Sequence, residues 1–212
     1  MKVVEIFNSI EGEGKRAGIP CTFIRLYGCN AKCEYCDSTY AWALDNYEIL
    51  TIDEILYFVN EIGCPNVTVT GGEPLIHNGI EYLLNALVSN GYDVNVETNG
   101  TRVPSFWHRN LFYTMDYKTN VSGMTHLMNL KAFSELSGDD VIKFVVGSQD
   151  DLVQALEFLE SHTVQAQIFV SPVFGKIEPV EIVNFIKEHK LWHWKTQLQL
   201  HKYIWNPEER GV

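Results

Sequence analysis

The sequence lacks long apolar runs and clusters of basic residues. None of its apolar segments approaches the ~18–20 residues of a membrane-spanning helix, and residues 1–5 lack the apolar stretch and cleavage site of a signal peptide. Its 16 Lys and Arg stand against 27 Asp and Glu, for a formal charge of −11. Binding to nucleic-acid phosphates or anionic lipid depends on clustered basic residues. We therefore expect a cytoplasmic protein that binds neither membranes nor nucleic acid.

The sequence also lacks low-complexity segments, long linkers and blocks of like charge, so we expect a single domain over residues 1–212. A chain of this length buries roughly 70% of its unfolded surface on folding and needs neither disulfides nor a structural metal for its core. Its five cysteines are therefore expected to serve chemistry in a reducing compartment.

Short strands rich in β-branched and aromatic residues alternate with amphipathic helices along the chain. This alternation predicts an α/β fold in which helical crossovers join parallel strands. Strands are predicted at residues 22–27, 66–70, 93–98, 111–116, 140–146, 167–171 and 196–201. Helices are predicted at residues 51–62, with Thr51 and Glu54 as a capping box, from Asn78 to Asn90, and near residues 129–137, 149–161 and 179–190. Ligands of such folds bind at the carboxyl ends of the strands.

Three cysteines, Cys29, Cys33 and Cys36, follow the first predicted strand with the spacing C-x3-C-x2-C. A structural zinc site requires four ligands and a redox dithiol only two cysteines, so a local triplet suits neither by itself. A four-iron cluster held by three thiolates keeps one iron open, and that iron can chelate the amine and carboxylate of an amino acid. The alternative is a zinc loop completed by the distant Cys64 or His77. We expect Cys64, like Cys21, to be a packing residue.

This spacing, with Tyr35 just before the last cysteine, resembles the signature of the radical S-adenosylmethionine (SAM) superfamily. Residues 71–74 (GGEP) resemble the loop that receives the SAM amino group, and residues 97–100 (ETNG) resemble the segment after the third strand. The resemblance implies one [4Fe–4S] cluster, SAM as a cofactor, and an abbreviated, open (βα)6-type partial barrel with parallel strands.

Residues 5–14, 23–29, 36–38 and 199–202 resemble the corresponding segments of 7-carboxy-7-deazaguanine synthases. That family implies a lyase that converts 6-carboxy-5,6,7,8-tetrahydropterin to 7-carboxy-7-deazaguanine with loss of ammonia, on the route to queuosine. SAM would be used catalytically, hydrogen would be abstracted from C6 of the pterin, and Mg2+ would orient the substrate. The resemblance also implies a homodimer and an electron donor such as flavodoxin or ferredoxin.

The resemblance assigns residues to each of these ligands, with no side chain required as a nucleophile. Cys29, Cys33 and Cys36 would hold the cluster, and Ser38, where some relatives carry Thr, would supply an oxygen to Mg2+. The residues that would contact SAM are Tyr35, Asp37, Gly72, Asp116, Tyr117 and Lys118. The residues that would contact the pterin are Ile10, Glu11, Gly12, Arg25 and Thr70. Residues 116–118 replace a Ser-Pro-Lys turn of other members, so backbone atoms are expected to contribute there.

Arg25 is informative from its physical character alone, because a guanidinium inside an apolar strand needs an acidic partner. The partner is either the substrate carboxylate or an internal residue such as Glu11 or Glu97. Asp37 and Ser38 suit a hard cation, or they form an ordinary turn. The tail residues His201, Lys202, Tyr203 and Trp205 either close over the site or pack against the last strand.

Two other functions compete with the synthase. A glycyl-radical-enzyme activase is a compact radical SAM protein with the same cysteine spacing, and it acts on a large protein partner. A non-catalytic zinc-binding module would use the cysteine loop without iron. The motifs at residues 11–14 and 36–38 favour the synthase.

Metal analysis separates the iron cluster from zinc. We expect anaerobically reconstituted protein to contain about four iron and four sulfide per chain, because three thiolates suit a cluster with one open iron. Elemental analysis and sulfide determination measure this content. Stoichiometric zinc without iron would contradict the radical SAM interpretation.

Overall fold

The computed structural model describes residues 1–43, 46–207 and 209–212, and its strands form one nine-stranded sheet. The strands are β1 (Lys2–Ile10), β2 (Pro20–Leu26), β3 (Glu48–Ile49), β4 (Asn66–Gly71), β5 (Asp93–Thr98), β6 (Leu111–Tyr117), β7 (Val141–Val146), β8 (Gln167–Pro172) and β9 (Trp194–Thr196). Their order across the sheet is β3-β1-β2-β4-β5-β6-β7-β8-β9.

Along the part of the sheet ordered β2-β4-β5-β6-β7-β8-β9, every neighbouring pair is parallel. The pairs β3-β1 and β1-β2 are antiparallel. Among the described residues the hydrogen-bonded ladder ends at β3 on one side and β9 on the other, so the sheet does not close. The predicted open, mostly parallel α/β fold is confirmed. The sequence prediction missed β1, whose residues are mostly half-buried and show no clean alternation.

The helices cover the sheet and connect its strands. They are α1 (Tyr40–Ala43), α2 (Ile52–Ile62), α3 (Ile80–Ser89), α4 (Leu130–Ser134), α5 (Gln149–Ser161), α6 (Pro179–Glu188) and α7 (His201–Ile204). The capping box predicted for α2 is present: Thr51 Oγ1 accepts from the Glu54 N–H at 3.2 Å, and Glu54 Oε2 accepts from the Thr51 N–H at 2.8 Å. Such a cap is worth about 1 kcal/mol.

Two predicted boundaries are wrong. Helix α3 is preceded by Gly79 at its N-cap, in the left-handed conformation at φ 83°, and not by Asn78. Of the strand predicted at residues 196–201, only Thr196 belongs to a strand, as the last residue of β9, and helix α7 begins at residue 201. Beyond Thr196 the chain turns inward, because the Gln197 and Gln199 amides approach the Glu13 carboxylate at 3.4 Å each.

The two faces of the parallel strands differ in polarity. Alternate residues such as Val67, Val69 and Val96 belong to the apolar core beneath the helices. The residues between them, such as Thr68, Asn95 and Glu97, point to the other face, since strand side chains alternate. A register slip of one residue would exchange the two faces, so the alternation fixes which side chains reach the inner face.

None of the helices in the described part of the chain combines the length and the hydropathy needed to cross a membrane.

Candidate active site

A cavity of about 660 Å³ lies on the inner face, at the carboxyl ends of the parallel strands. Residues of β2 and β4 to β7, the cysteine loop, the segment after β8 and the C-terminal tail all line it. The cavity brings together nearly all the predicted site residues: Ile10, Glu11, Gly12, Arg25, Cys29, Cys33, Tyr35, Cys36, Asp37, Ser38, Thr70, Gly72, Asp116 and Lys118. The chain therefore gathers side chains from most of its length around one space.

The cysteine loop rests on the glycine loop after β4. The Gly72 N–H donates to the Leu26 carbonyl at 3.0 Å, and the Glu73 N–H donates to the Gly28 carbonyl at 2.8 Å. A Cβ at Gly72 would overlap the Gly28 carbonyl group and lie 2.9 Å from the Cys29 Cβ. Only glycine permits this close backbone approach.

Cys29, Cys33 and Cys36 are free, half-buried thiols on the same cavity wall. Burial raises the pKa of Cys29 and of Cys33. Within the described residues, no three His, Cys, Asp or Glu side chains converge where a single metal ion could bind. By their number, their chemistry and their shared cavity, the three thiols fit an iron–sulfur cluster with one open iron.

Tyr35 lies between the last two cysteines and lines the cavity. Its hydroxyl is buried and has no hydrogen-bond partner among the described residues. Burial raises its pKa to about 12, and the Lys118 ammonium lies 5.8 Å from the ring centroid. An unpartnered buried hydroxyl beside the thiols fits a polar cofactor at this position.

The carboxylate of Glu73 does not face the cavity. It accepts from the Leu75 N–H at 2.9 Å, from the Thr98 hydroxyl at 2.7 Å and from the Asn99 N–H at 2.6 Å. Asn99 in turn donates to the Cys29 sulfur at 3.7 Å and to the Asn30 side chain at 3.1 Å. Glu73 therefore locks the end of β5 to the glycine loop and supports the cysteine loop from below.

Asp116, at the end of β6, is held between two lysines. Its carboxylate lies 2.7 Å from Lys118 Nζ and 3.1 Å from Lys143 Nζ. Burial opposes ionisation of Asp116, but the two cations keep its pKa below the usual value. Lys143, on β7, also lies 3.0 Å from Glu13. Burial works against the two ammonium charges, but Asp116 raises the pKa of Lys118 and of Lys143, so both lysines stay charged.

Arg25 pairs with Glu5, at 2.7 Å between Nε and Oε1, and not with either Glu11 or Glu97. The reason is β1, which places Glu5 directly opposite Arg25 in the antiparallel register. Arg25 Nη1 lies 3.4 Å from the Ser38 hydroxyl. Nη2 has no hydrogen-bond partner in the described part of the chain, so part of the guanidinium fork is available to a ligand.

Glu11 is buried at the bottom of the cavity and pairs with Arg16 at 3.0 Å. The same Oε1 accepts from the Thr68 hydroxyl and from the Asn95 amide. Its other oxygen, Oε2, is buried without a partner among the described residues. One oxygen of Glu11 therefore anchors the loop after β1, and the other is left for a bound molecule.

Tyr117, at the end of β6, is a predicted SAM contact whose side chain is not among those that line the cavity. Tyr117 belongs to the apolar core, where its ring lies 4.3 Å from the Phe158 ring and 5.5 Å from the Phe133 ring. Strand alternation explains this placement, because Asp116 and Lys118 point to the cavity and the residue between them points to the helices. Only the backbone of Tyr117 is available to a ligand.

Of the four tail residues expected either to close over the site or to pack on the last strand, His201 and Lys202 line the cavity, whereas Tyr203 and Trp205 are not among its lining residues. Lys202 Nζ lies 3.2 Å from Asp37, and the Arg210 guanidinium lies 4.1 Å from the Tyr40 ring centroid. The His201 ring packs against Gly12, where a Cβ would overlap it, and burial lowers its pKa. The tail therefore bridges the cysteine loop and the loop after β1.

A family model described as the Radical SAM superfamily matches residues 23–188. The 7-carboxy-7-deazaguanine synthase of Clostridium acetobutylicum is 44% identical over 225 residues, covering 100% of this chain and 99% of that protein. The chain belongs to the 7-carboxy-7-deazaguanine synthase family of radical SAM enzymes. The synthase of Chlorobaculum tepidum is 38% identical over 217 residues, covering 100% of this chain and 97% of the relative.

Solved structures agree with this membership. QueE from Escherichia coli superposes with a TM-score of 0.76 at 25% identity, covering 93% of this chain and 92% of that one. SuiB from Streptococcus suis, solved bound to S-adenosylmethionine, shares the fold at a TM-score of 0.55 and 13% identity, covering 82% of this chain and 48% of that one. The chain is thus a radical SAM enzyme of the synthase type, whose family implies a [4Fe–4S] cluster and SAM. The activase and the zinc module are not supported.

Sequence reasoning missed several residues that line this cavity: Glu13, Glu97 as a side chain, Lys143 and Gln199. Lys143 carried a usable signal, because it is a lone charge in the strand sequence VIKFVV, as Arg25 is in β2. Glu97 could have been found as a polar residue at an alternate position of its strand. Glu13 carried no such signal, since its partners lie 130 residues or more along the chain.

Replacing Gly72 by Ala tests the contact between the two loops. We expect Gly72→Ala to lower cluster content several-fold after reconstitution, because its Cβ would displace the backbone that presents Cys29. Iron content and visible absorbance per chain measure the effect. Gly138→Ala is the matched control, since its Cβ would meet only the Gln165 carbonyl, at 3.9 Å. Equal cluster content in the two variants would contradict the proposed contact.

Proposed function

We propose that this protein converts 6-carboxy-5,6,7,8-tetrahydropterin to 7-carboxy-7-deazaguanine with loss of ammonia, using SAM catalytically and Mg2+ as a second metal. One observation carries the proposal. A single cavity holds three thiols and, on the strand that precedes them, Arg25, whose Nη2 has no hydrogen-bond partner among the described residues. The names of the relatives support the choice of product.

Cys29, Cys33 and Cys36 would hold the cluster. The cluster and SAM, when bound, supply reductive cleavage of SAM and removal of a hydrogen atom from the substrate. The chain's own residues orient SAM through the side chains of Tyr35, Asp37, Asp116 and Lys118 and through the backbone of Gly72 and Tyr117. The Lys118 ammonium, held 2.7 Å from Asp116, offers its remaining donors to the carboxylate of SAM.

Ile10, Glu11, Gly12, Arg25 and Thr70 would bind the pterin. Arg25 would bind the substrate carboxylate through Nη2, which has no partner among the described residues, since guanidinium and carboxylate match in shape and charge. The unpartnered oxygen of Glu11 would accept from an N–H of the pterin ring. In this arrangement the substrate spans the cavity between the loop after β1 and the strand ends.

Ser38 would supply one oxygen to Mg2+. Its hydroxyl lies 3.2 Å from Asp37 Oδ1 and 3.4 Å from Arg25 Nη1. A carboxylate bound to Arg25 would therefore lie beside Ser38 and could share the ion. Mg2+ usually takes only one or two protein ligands and completes its shell with water and substrate oxygens.

Two further proposals are supported by family membership alone. An electron donor such as flavodoxin or ferredoxin would reduce the cluster, and two chains would form a homodimer.

A turnover assay tests the proposed reaction. Anaerobically reconstituted protein, mixed with SAM, a reductant, Mg2+ and 6-carboxytetrahydropterin, is expected to form 7-carboxy-7-deazaguanine and ammonia without net consumption of SAM. Mass spectrometry of the product and of residual SAM measures both. Cleavage of SAM without a deazaguanine product would reject the substrate assignment but retain the radical SAM chemistry.

Replacing Arg25 by Gln tests the site of the substrate carboxylate. We expect kcat/KM for the pterin to fall about 10- to 100-fold, the loss of one charged hydrogen bond, with unchanged SAM binding in the absence of substrate. Steady-state kinetics and SAM titration measure the two quantities. The exposed Arg102→Gln is the matched control. Weakened SAM binding with an unchanged KM for the pterin would move Arg25 to the SAM site.

A further inference from the structure

Glu97 lies in a row of side chains that crosses the floor of the cavity. The register of β2 and β4 places Arg25 beside Thr70. In the register of β4 and β5, Val69 pairs with Val96, so the next residues along these strands, Thr70 and Glu97, also lie side by side. Thr70 donates to Glu97 Oε2 at 2.9 Å. Because neighbouring strands lie about 4.8 Å apart, the backbone of Glu97 is about 10 Å from that of Arg25. A bicyclic ring held by its carboxylate at Arg25 would reach over Glu97.

Among the described residues, no Lys, Arg or His forms an ion pair with the carboxyl group of Glu97. Thr70 is its one hydrogen-bond partner among the described residues. Lys143 is the cation that lowers the pKa of Glu97 most. Its ammonium is already paired with Glu13 at 3.0 Å and with Asp116 at 3.1 Å. The charged groups that face Glu97 from the surrounding elements are Glu11, Glu13, Arg25, Asp116 and Lys143. Three of these five are carboxylates, so an added negative charge is disfavoured here.

The pKa of Glu97 is raised to about 7, and burial is the largest cause. The neighbouring carboxylates also raise it, whereas the Lys143 ammonium lowers it. The other acidic groups of the cavity floor differ in this respect. Glu11 is paired with Arg16, Glu13 with Lys143, and Asp116 with two lysines. Glu97, which has no ion-pair partner among the described residues, therefore favours its protonated form near neutral pH, whereas Asp116 raises the pKa of Lys118 and of Lys143 in spite of their burial.

We propose that Glu97 is the general acid that protonates the departing nitrogen during loss of ammonia, an inference that rests on the proposed function. The carboxyl proton moves to that nitrogen as the carbon–nitrogen bond breaks, and the bonding electron pair stays on nitrogen, so neutral ammonia leaves. The Glu97 carboxylate then takes the proton released from the adjacent ring atom as the new double bond forms. The cycle returns Glu97 to its acid form and needs no other reactant.

His201 is a second titratable side chain among the described residues that line the cavity. It packs on Gly12, within the loop after β1, and burial lowers its pKa. A neutral imidazole accepts a proton more readily than it supplies one, so His201 is not suited to the first step. Glu97 has the opposite character, because its environment favours the protonated form.

Glu97→Gln tests the proposal, because Gln keeps the shape and can accept from Thr70 but cannot release a proton. We expect substrate-dependent SAM cleavage within about threefold of the unmodified enzyme, while formation of deazaguanine and ammonia falls about 100-fold or more, the usual range for loss of a general acid. Glu157→Gln, on the exposed face of α5, is the matched control and is expected to leave both rates unchanged. Transfer of deuterium from C6-deuterated pterin into SAM measures SAM cleavage, because SAM is re-formed in each cycle, and chromatography of deazaguanine measures product formation.

A direct readout of the proton is independent of turnover. Isotope-edited infrared spectra of the reconstituted protein are expected to show a protonated glutamic acid band that titrates near pH 7 and is absent from Glu97→Gln. The product-forming step of the unmodified enzyme should slow as pH rises above about 7, because the acid form of Glu97 is lost, whereas SAM cleavage should not. Melting temperature and iron content check that the variant is folded and loaded.

Three results would overturn the proposal. Product formation by Glu97→Gln within threefold of the unmodified enzyme would show that the proton comes from elsewhere. Equal loss of SAM cleavage and of product would assign Glu97 to substrate positioning. Absence of the titrating band would show that Glu97 is ionised at neutral pH. Failure of the proposed function itself is distinct, since then the unmodified enzyme forms no deazaguanine.

Discussion

The positive charge of Lys143, buried on the inner face of β7, holds the parts of the site together. Its ammonium joins Glu13, from the loop after β1, to Asp116, at the carboxyl end of β6. A buried cation without partners would cost several kcal/mol, so the sheet folds with both carboxylates in reach. Glu13 also accepts from Ser171 at 2.8 Å. These contacts join the neighbouring strands β6, β7 and β8 to the loop after β1, which is distant from them in the sheet. They hold that loop over the strand ends.

A second constraint acts at the cysteine loop, which contains little regular structure of its own. Gly72 brings the backbone after β4 against Gly28, and Glu73 fastens the same loop to Asn99. Asn99 then contacts the Cys29 sulfur. A loop that must present three thiols cannot bury much apolar surface, so its position depends on contacts supplied by the neighbouring strand ends. The glycine loop therefore has a structural task in addition to any contact with a cofactor.

The sequence predicts the parallel core of this fold well, and the reasons are local. Helix α2 carries its own capping box, and β5 was predicted at its observed bounds, residues 93–98. The failures are at the edges of the sheet and in long-range charge pairing. The antiparallel β1 gives Arg25 its partner Glu5, and no pattern near Arg25 indicates a residue 20 positions earlier. Glu13 and Lys143 are 130 positions apart, and the motif at residues 116–118 does not itself show that strand alternation turns the Tyr117 ring into the core.

The acidity of the chain does not extend evenly into its cavity. Among the described residues that line it, six are Lys or Arg and seven are Asp or Glu, whereas the whole chain has 16 against 27. The excess of negative charge therefore lies mainly outside the cavity. A protonated Glu97 makes the charges of this lining equal in number, which lowers the cost of admitting an anionic substrate. The same proton that suits Glu97 to acid catalysis thus also removes a repulsion at the place where the substrate binds, because both effects follow from the burial of Glu97 and from the carboxylates around it.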